Sequence, residues 1–362
     1  MVNRDINRII GFPAKRVSTL IILLFLLLPQ FSFAVENEKY EGVLVINPGS
    51  ELWRDIRQRD NSLEGTSQIK GVDNHILINS QGDRWARFRV NELVSYGTVA
   101  LVAITLVLLL FYMIRGKLGV EGGLSGRMVH RFTDYERIVH WTLALVFLFL
   151  AITGLTLLLG RTFLIPILGQ EIFSLLASAS KEGHNLMGPI FIVSLFMMLF
   201  SFVKRNIYEK GDLTWLLKGG GLIGKSHVTG GFFNMGEKTW YWMVILVGLV
   251  ISASGVILVS PNFGQGRIIM ELSHVIHVGG AVILIAVSIG HMYLGSVGSE
   301  GSLEGMKTGY VDISWVEAHH DRWAKECHEN DMIITAENYA KLQGKTAADA
   351  SELANAMTEQ GK

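Results

Sequence analysis

The sequence predicts an all-α membrane protein: a bundle of five transmembrane helices, preceded by a signal peptide and a small extracytoplasmic segment. Hydrophobic residues make up 49% of the 362 positions. Charged residues make up 18%, whereas about 25% is usual in soluble domains. The apolar residues form long runs, and basic residues concentrate in alternate loops, as in multi-pass membrane proteins. The formal net charge is zero, and no basic face predicts nucleic-acid binding.

Residues 1–34 have the organisation of a cleaved signal peptide. Basic residues precede an apolar run at 20–29, and Ser32-Phe33-Ala34 is a small-x-small cleavage site. An uncleaved signal anchor is the alternative. In both cases we expect residues 35–93 to form a small periplasmic segment.

Five apolar runs predict the spans, at 94–114, 137–159, 186–203, 239–259 and 271–295. Lysine and arginine are abundant at 115–136 and 204–238, whereas the opposite loops carry only Arg161, Lys181 and Arg267. By the positive-inside rule, the two basic segments and the tail at 296–362 are cytoplasmic. This predicts a multi-pass protein of a bacterial inner membrane, with the N-terminal segment in the periplasm and the C-terminus in the cytoplasm. Residues 94–114 are then an additional span, joined by a linker at 115–136 to a four-helix domain at 137–295.

Two histidines on the last span indicate a cofactor. His277 and His291 are fourteen residues apart, which places both rings on one face of a helix, about 21 Å apart along its axis. Ionisable side chains inside a bilayer are costly and require a partner. Two haems at different depths, each held by two histidines, would give His277 and His291 one such partner each.

Two further histidines complete such a set. The predicted topology places His140 at the inner depth of His291, and His184 at the outer depth of His277. We therefore predict two b-type haems, with all four histidines ligating iron. The alternative is that they are helix-boundary residues satisfied by the backbone or by lipid headgroups. Gly279, Gly280 and Gly290 would leave room for a flat macrocycle, or would serve close helix packing.

The other histidines are predicted to lie at the surface, with His274 at an interface or behind the ligands. The set comprises His75, His130, His227, His319, His320 and His328. A single cysteine, Cys327, excludes an intrachain disulfide and a cysteine-ligated iron–sulfur cluster. Because Ala324 stands where a second cysteine would be needed, covalent haem attachment is excluded too.

One stretch matches a nucleotide-binding motif in sequence but lacks the structural context that the motif needs. Residues 219–226 match the P-loop pattern, but that site needs a preceding strand and a following helix within a βαβ unit. A loop between two membrane spans does not supply them. We therefore predict that no nucleotide binds.

The sequence resembles the gamma subunit, a di-haem cytochrome b, of membrane-bound formate dehydrogenases. The resemblance covers about 130–330 and is carried by five stretches: Glu136–Trp141, Phe233–Lys238, Val275–Tyr293, Gly301–Met306 and Ala318–Trp323. It implies that His184 and His277 hold the outer haem and that His140 and His291 hold the inner one. The compact members of the family have four spans and no signal peptide. This sequence adds a signal, a periplasmic segment and a first span.

The resemblance also implies partners and a quinone site. A catalytic subunit with molybdenum or tungsten would oxidise formate, and an iron–sulfur subunit would pass electrons through both haems to membrane quinone, menaquinone or ubiquinone, in anaerobic respiration. Residues matching Asn234 and Gly236, beside His291, would bind the quinone. An amide can donate a hydrogen bond to a quinone carbonyl, but a turn that begins a helix explains Asn234 and Gly236 equally well. No residue of this chain would be catalytic for formate.

Other functions remain open at this level. The same haem arrangement could serve a nickel–iron hydrogenase or a sulfur-compound reductase. A haem-free membrane anchor or a transporter is the alternative of a different class. An ion-coupled transporter would carry carboxylates inside its spans, and only Glu271, at the edge of one span, comes close.

Overall fold

The computed structural model describes residues 80–218, 229–260 and 264–343. The predicted signal peptide, most of the predicted periplasmic segment and the P-loop-like stretch 219–226 lie outside these residues.

Helices dominate the described chain, with three short strands between them. In chain order the elements are α1 (Ser80–Arg87), a π-helical segment (Phe88–Leu93), α2 (Val94–Arg115), β1 (Met128–His130), α3 (Asp134–Phe163), α4 (Ile165–Phe202), α5 (Asp212–Leu217), α6 (Met235–Val259), α7 (Arg267–Tyr293), α8 (Ser302–Thr308), β2 (Tyr310–Asp312), α9 (Ile313–His319), α10 (Asp321–Glu329), β3 (Ile333–Ile334) and α11 (Ala336–Leu342).

Five of the described helical segments are long and apolar enough to cross a membrane. They are Gly82–Arg115, Asp134–Phe163, Ile165–Asn206, Met235–Val259 and Arg267–Gly298. The predicted five-helix membrane fold is therefore confirmed.

Two helices extend beyond the predicted spans. Helix α4 begins at Ile165, well before the predicted span at 186–203, and has one break at Gly169, whose φ is 79°. Residues 80–93, predicted as periplasmic, are helical and continue into α2. Hydropathy marks only the part of a helix that is apolar enough to lie in hydrocarbon, and polar ends extend beyond it.

Capping boxes begin two of the long helices. Thr133 accepts a bond from the Glu136 N–H (3.3 Å), and the Glu136 carboxylate accepts from the Thr133 N–H (2.9 Å) at the start of α3. Asn234 and Glu237 make the same exchange, at 3.0 and 2.9 Å, before α6. Both caps satisfy backbone donors that the first helical turn leaves unpaired.

The additional span α2 packs against the histidine-bearing helix α7. A Cβ at Gly97 would stand 3.4 Å from Val282 of α7 and 3.6 Å from Leu158 of α3. Near the other end of α2, the rings of Phe111 and Tyr112 contact Tyr293 edge-on. A Cβ at Gly97 would therefore make ordinary van der Waals contact with both neighbouring helices.

The linker and the tail fold together into a small domain at one end of the bundle. Strand β1 pairs antiparallel with β2 on one side and with β3 on the other. Its core is fully buried at Val129, Val311, Ile313, Val316 and Cys327. We call this domain the sheet domain, and its side of the bundle the sheet end. The sequence had suggested only a linker and a tail.

Candidate functional site

The four predicted ligands lie in two facing pairs, each of which joins α7 to a neighbouring helix. The ring centres of His140 (α3) and His291 (α7) are 6.2 Å apart. Those of His184 (α4) and His277 (α7) are 6.1 Å apart. Because His277 and His291 are on one helix, the two pairs lie at different depths, about 21 Å apart along that helix. The His140–His291 pair is at the sheet end.

The separation within each pair fits a metal-centred group held between two imidazoles. A metal–imidazole bond is about 2 Å long, so two rings that bind one metal from opposite sides have centres about 6 Å apart. Both pairs meet this requirement.

The ring of His184 is oriented by helix α3. Its Nδ1 lies 2.9 Å from the Thr153 hydroxyl. The Thr153 hydroxyl donates its own hydrogen to the backbone oxygens of Phe149 and Leu150, at 2.8 and 3.1 Å. A hydroxyl has one hydrogen, so Thr153 accepts from Nδ1–H, and Nε2 is the nitrogen left for a metal.

Helix α6 orients His277 in the same way. The Nδ1 of His277 lies 3.0 Å from the Ile251 backbone oxygen and 3.3 Å from the Ser254 hydroxyl. That hydroxyl donates to the backbone oxygens of Val250 and Ile251, each at 2.9 Å. Nδ1 of His277 therefore carries the hydrogen here too.

A glycine follows the hydroxyl residue on each helix. A Cβ at Gly154 would lie 3.3 Å from Cε1 of His184, and a Cβ at Gly255 would lie 3.1 Å from Cε1 of His277. Both distances are tight, so each ring edge lies against a backbone that only glycine leaves clear.

The His140–His291 pair has different surroundings. Nδ1 of His140 is buried and has no hydrogen-bond partner among the described residues, and its ring meets Trp141 edge-on. The ring of His291 stacks on Trp240, with centres 4.9 Å apart and planes 19° from parallel. Aromatic packing takes the place of the hydrogen bonds seen at the other pair.

The three glycines that could leave room for a macrocycle differ in their surroundings. A Cβ at Gly279 or Gly290 would meet no described atom within 4 Å. A Cβ at Gly280 would stand 2.9 Å from Ile251. Gly280 therefore serves close packing between α6 and α7, whereas the space beside Gly279 and Gly290 is open.

Asn234 and Gly236 form the start of α6. The Oδ1 of Asn234 accepts from the Glu237 N–H, so the amide oxygen is occupied by the cap, while Nδ2 takes no part in it. A Cβ at Gly236 would lie 2.8 Å from the Trp215 ring. The turn that begins a helix, one of the two alternatives for these residues, is what the structure shows directly.

The surface prediction for His320 was wrong. His320 is fully buried; its Nδ1 donates to the Gly231 backbone oxygen (2.9 Å), and its Nε2 lies 3.4 Å from Nη2 of Arg131. Desolvation lowers the pKa of His320 to about 4, against the smaller opposing effect of Glu237. The imidazole is therefore neutral at pH 7 and accepts from Arg131.

The remaining histidines lie outside both pairs. His130 and His328 are exposed as predicted, whereas His319 is half-buried and stacks on Trp315. His274 contacts Trp85 of α1 edge-on, with ring centres 5.7 Å apart. His75 and His227 lie outside the described residues.

Sequence reasoning missed the role of Arg131, which it counted only as a loop charge. Arg131 is 5% exposed, and its Nη2 donates to Glu237 and to the Phe232 backbone oxygen, at 3.0 Å each. Five aromatic rings surround its guanidinium: Phe132, Phe232, Phe233, Trp315 and Trp323. Arg131 thus joins the sheet domain to the first turn of α6, close to Trp240.

Known proteins are similar to this chain over its histidine-bearing helices. The family described as prokaryotic cytochrome b561 matches residues 131–309. A nitrate-inducible formate dehydrogenase cytochrome b556 (Fdn) subunit of Escherichia coli K12 is 30% identical over 213 residues, which is 56% of this chain and 93% of that protein. The chain belongs to the prokaryotic cytochrome b561 family. The residues matched by the family include His140, His184, His277 and His291, and the resemblance to formate dehydrogenase gamma subunits is confirmed.

Two further relatives of this b561-family chain carry similar names. The formate dehydrogenase cytochrome b556 (fdo) subunit of E. coli K12 is 28% identical over 200 residues, 54% of this chain and 92% of that protein. The formate dehydrogenase cytochrome b556 subunit of Haemophilus influenzae is 25% identical over 199 residues, 52% of this chain and 79% of that protein.

Proposed function

We propose that this chain is the cytochrome b subunit of a formate dehydrogenase complex and carries two b-type haems. His184 and His277 would hold one haem, and His140 and His291 the other. The proposal rests on one observation: the four histidines form two facing pairs, with ring centres 6.1 Å apart in one pair and 6.2 Å apart in the other. Two axial imidazoles leave the iron no open position, so the bound haems would supply single-electron transfer rather than chemistry on a substrate.

The distribution of loop charges supports an orientation. The basic segments at 115–136 and 204–238 would face the cytoplasm, which places the sheet domain inside and the His184–His277 pair near the outer face of a bacterial inner membrane. We refer below to an outer haem at His184 and His277 and an inner haem at His140 and His291. An iron–sulfur subunit would be the electron donor on the outer side, in complex with a molybdenum or tungsten subunit that oxidises formate.

A membrane quinone would accept the electrons near the inner pair. Asn234 and Gly236 begin α6, and Trp240, one turn further on, stacks on His291. The Nδ2 group of Asn234 is outside the capping box and can donate to a quinone carbonyl. The names of three relatives favour formate over hydrogen or a sulfur compound as the reaction that this subunit serves.

Haem content tests this proposal first. Pyridine haemochrome analysis of the purified complex should give about two haems b for each copy of this chain, and formate should reduce them in membranes. A value near zero in a preparation that kept its other cofactors would contradict the haem assignment. Reduction by hydrogen but not by formate would keep the haems and reject the formate donor.

A further inference from the structure

The two outer ligands are held by matching five-residue segments on different helices. The segments are Leu150-Ala151-Ile152-Thr153-Gly154 on α3 and Ile251-Ser252-Ala253-Ser254-Gly255 on α6. In each, the fourth residue offers a hydroxyl to the histidine Nδ1, and the fifth is the glycine against Cε1. The first residue of the second segment, Ile251, also offers its backbone oxygen to Nδ1 of His277. Because both ligands of one site are held by the same arrangement, we infer that these contacts have the same role at each ligand.

The hydroxyls act on the ligands rather than only on their own helices. Ser194 and Ser288 are also buried in membrane helices, and each donates to the backbone oxygen four residues earlier, at 2.8 and 2.6 Å. Thr153 and Ser254 make such backbone bonds and also accept from an imidazole Nδ1–H, at 2.9 and 3.3 Å. Hydrogen bonding at Nδ1 makes an imidazole a stronger donor to the metal at Nε2.

The inner pair has no such support within the described chain. Nδ1 of His140 has no partner there, and His291 has a stacking contact with Trp240 instead of a hydrogen bond. The outer iron would therefore be bound by two strengthened imidazoles, and the inner iron by two ordinary ones. Stronger donation stabilises ferric iron relative to ferrous iron and so lowers the reduction potential.

We propose that Thr153 and Ser254 are positioning residues that set the midpoint potential of the outer haem below that of the inner haem. The proposal rests on the proposed function, since it requires both haems. With both haems bound, transfer of one electron from the site of His184 and His277 to the site of His140 and His291 would then be downhill. The direction of electron flow would thus be set by hydrogen bonds from α3 and α6.

Redox titration of the haem absorbance in the purified complex tests the proposal. Thr153→Val and Ser254→Ala should each retain two haems and shift the same one of the two midpoint potentials upward. The shift should be smaller for Ser254→Ala, because the Ser254 hydroxyl lies 3.3 Å from Nδ1 of His277, whereas the Thr153 hydroxyl lies 2.9 Å from Nδ1 of His184. Thr153→Ser should restore the original potential. Ser194→Ala and Ser288→Ala are matched controls that should leave both potentials unchanged.

A second measurement does not depend on the hydroxyl variants. His140→Ala should remove the inner haem and leave the outer one, which should titrate at the lower of the two wild-type potentials. Titration at the higher potential would overturn the proposal, and so would unchanged potentials in both hydroxyl variants with two haems retained. Neither result would affect the proposed function, whose haem assignment fails if the wild-type complex lacks haem.

Discussion

His184 and His277 face each other with ring centres 6.1 Å apart, and each directs its Nδ1 to a hydroxyl of the helix behind it. The two supporting helices, α3 and α6, are different, but the contacts are alike. Opposed rings that are both fixed at Nδ1 present two Nε2 atoms to the space between them. This relationship, rather than the presence of histidine in a membrane helix, makes the haem assignment specific.

Replacing one outer ligand should remove one haem. We expect His277→Ala to lower the haem content from about two to about one per chain, because the His140–His291 pair is on a separate level of the bundle. Pyridine haemochrome analysis measures this directly. His274→Ala is the matched control, one turn away on the same helix, and should keep both haems. Retention of both haems in His277→Ala would reject His277 as a ligand.

The structure separates the two roles considered for Asn234. Asn234→Asp keeps an oxygen that can cap α6 but loses the amide donor. Asn234→Ala loses both and should also cost about 1 kcal/mol of stability. If Asn234 binds quinone, both variants should slow quinone reduction at normal haem content, as measured by stopped-flow oxidation of the reduced haems. Normal quinone kinetics in Asn234→Asp would leave Asn234 with the capping role alone.

Arg131 should matter for stability more than any exposed charge of the linker. Arg131→Met would leave Glu237 without its buried partner and empty the centre of five aromatic rings. We expect a loss of about 3 kcal/mol, seen as a lower midpoint of thermal unfolding in detergent. The exposed Arg127 of the same linker provides the control, since Arg127→Met should change stability by less than about 0.5 kcal/mol. Equal effects of the two substitutions would contradict the role given to Arg131.

The buried His320 predicts that the sheet domain loses stability in mild acid. Its folded pKa, about 4, is below the unfolded value of about 6.5. Between these values only the unfolded chain binds the proton, so its contribution to stability is complete above about pH 6.5 and falls as the pH falls toward 4, by up to about 3 kcal/mol.

His320→Gln tests this prediction, because glutamine does not titrate. Unfolding measured at pH 7 and pH 5 should show a larger acid-induced loss in the wild type than in the variant. Identical pH dependence in the wild type and His320→Gln would show that His320 is not the group responsible.

The sequence by itself determined the membrane fold and the choice of candidate ligands. Hydropathy alone marks five spans, because the bilayer sets the length and apolar character of a spanning helix. The spacing of His277 and His291 places them on one helix face, since helical periodicity is local. These features depend on residues near one another in the chain, and a single sequence contains them in full.

Only the tertiary structure decided which side chains of other helices contact those candidate ligands. The contacts of Thr153 with His184 and of Ser254 with His277 join different helices, and a serine or threonine in an apolar run gives no sign of its partner. The burial of Arg131 and His320 likewise required the linker and the tail to pair in one sheet. Such long-range packing is fixed by the joint fit of distant segments, which local patterns of hydropathy and charge do not encode.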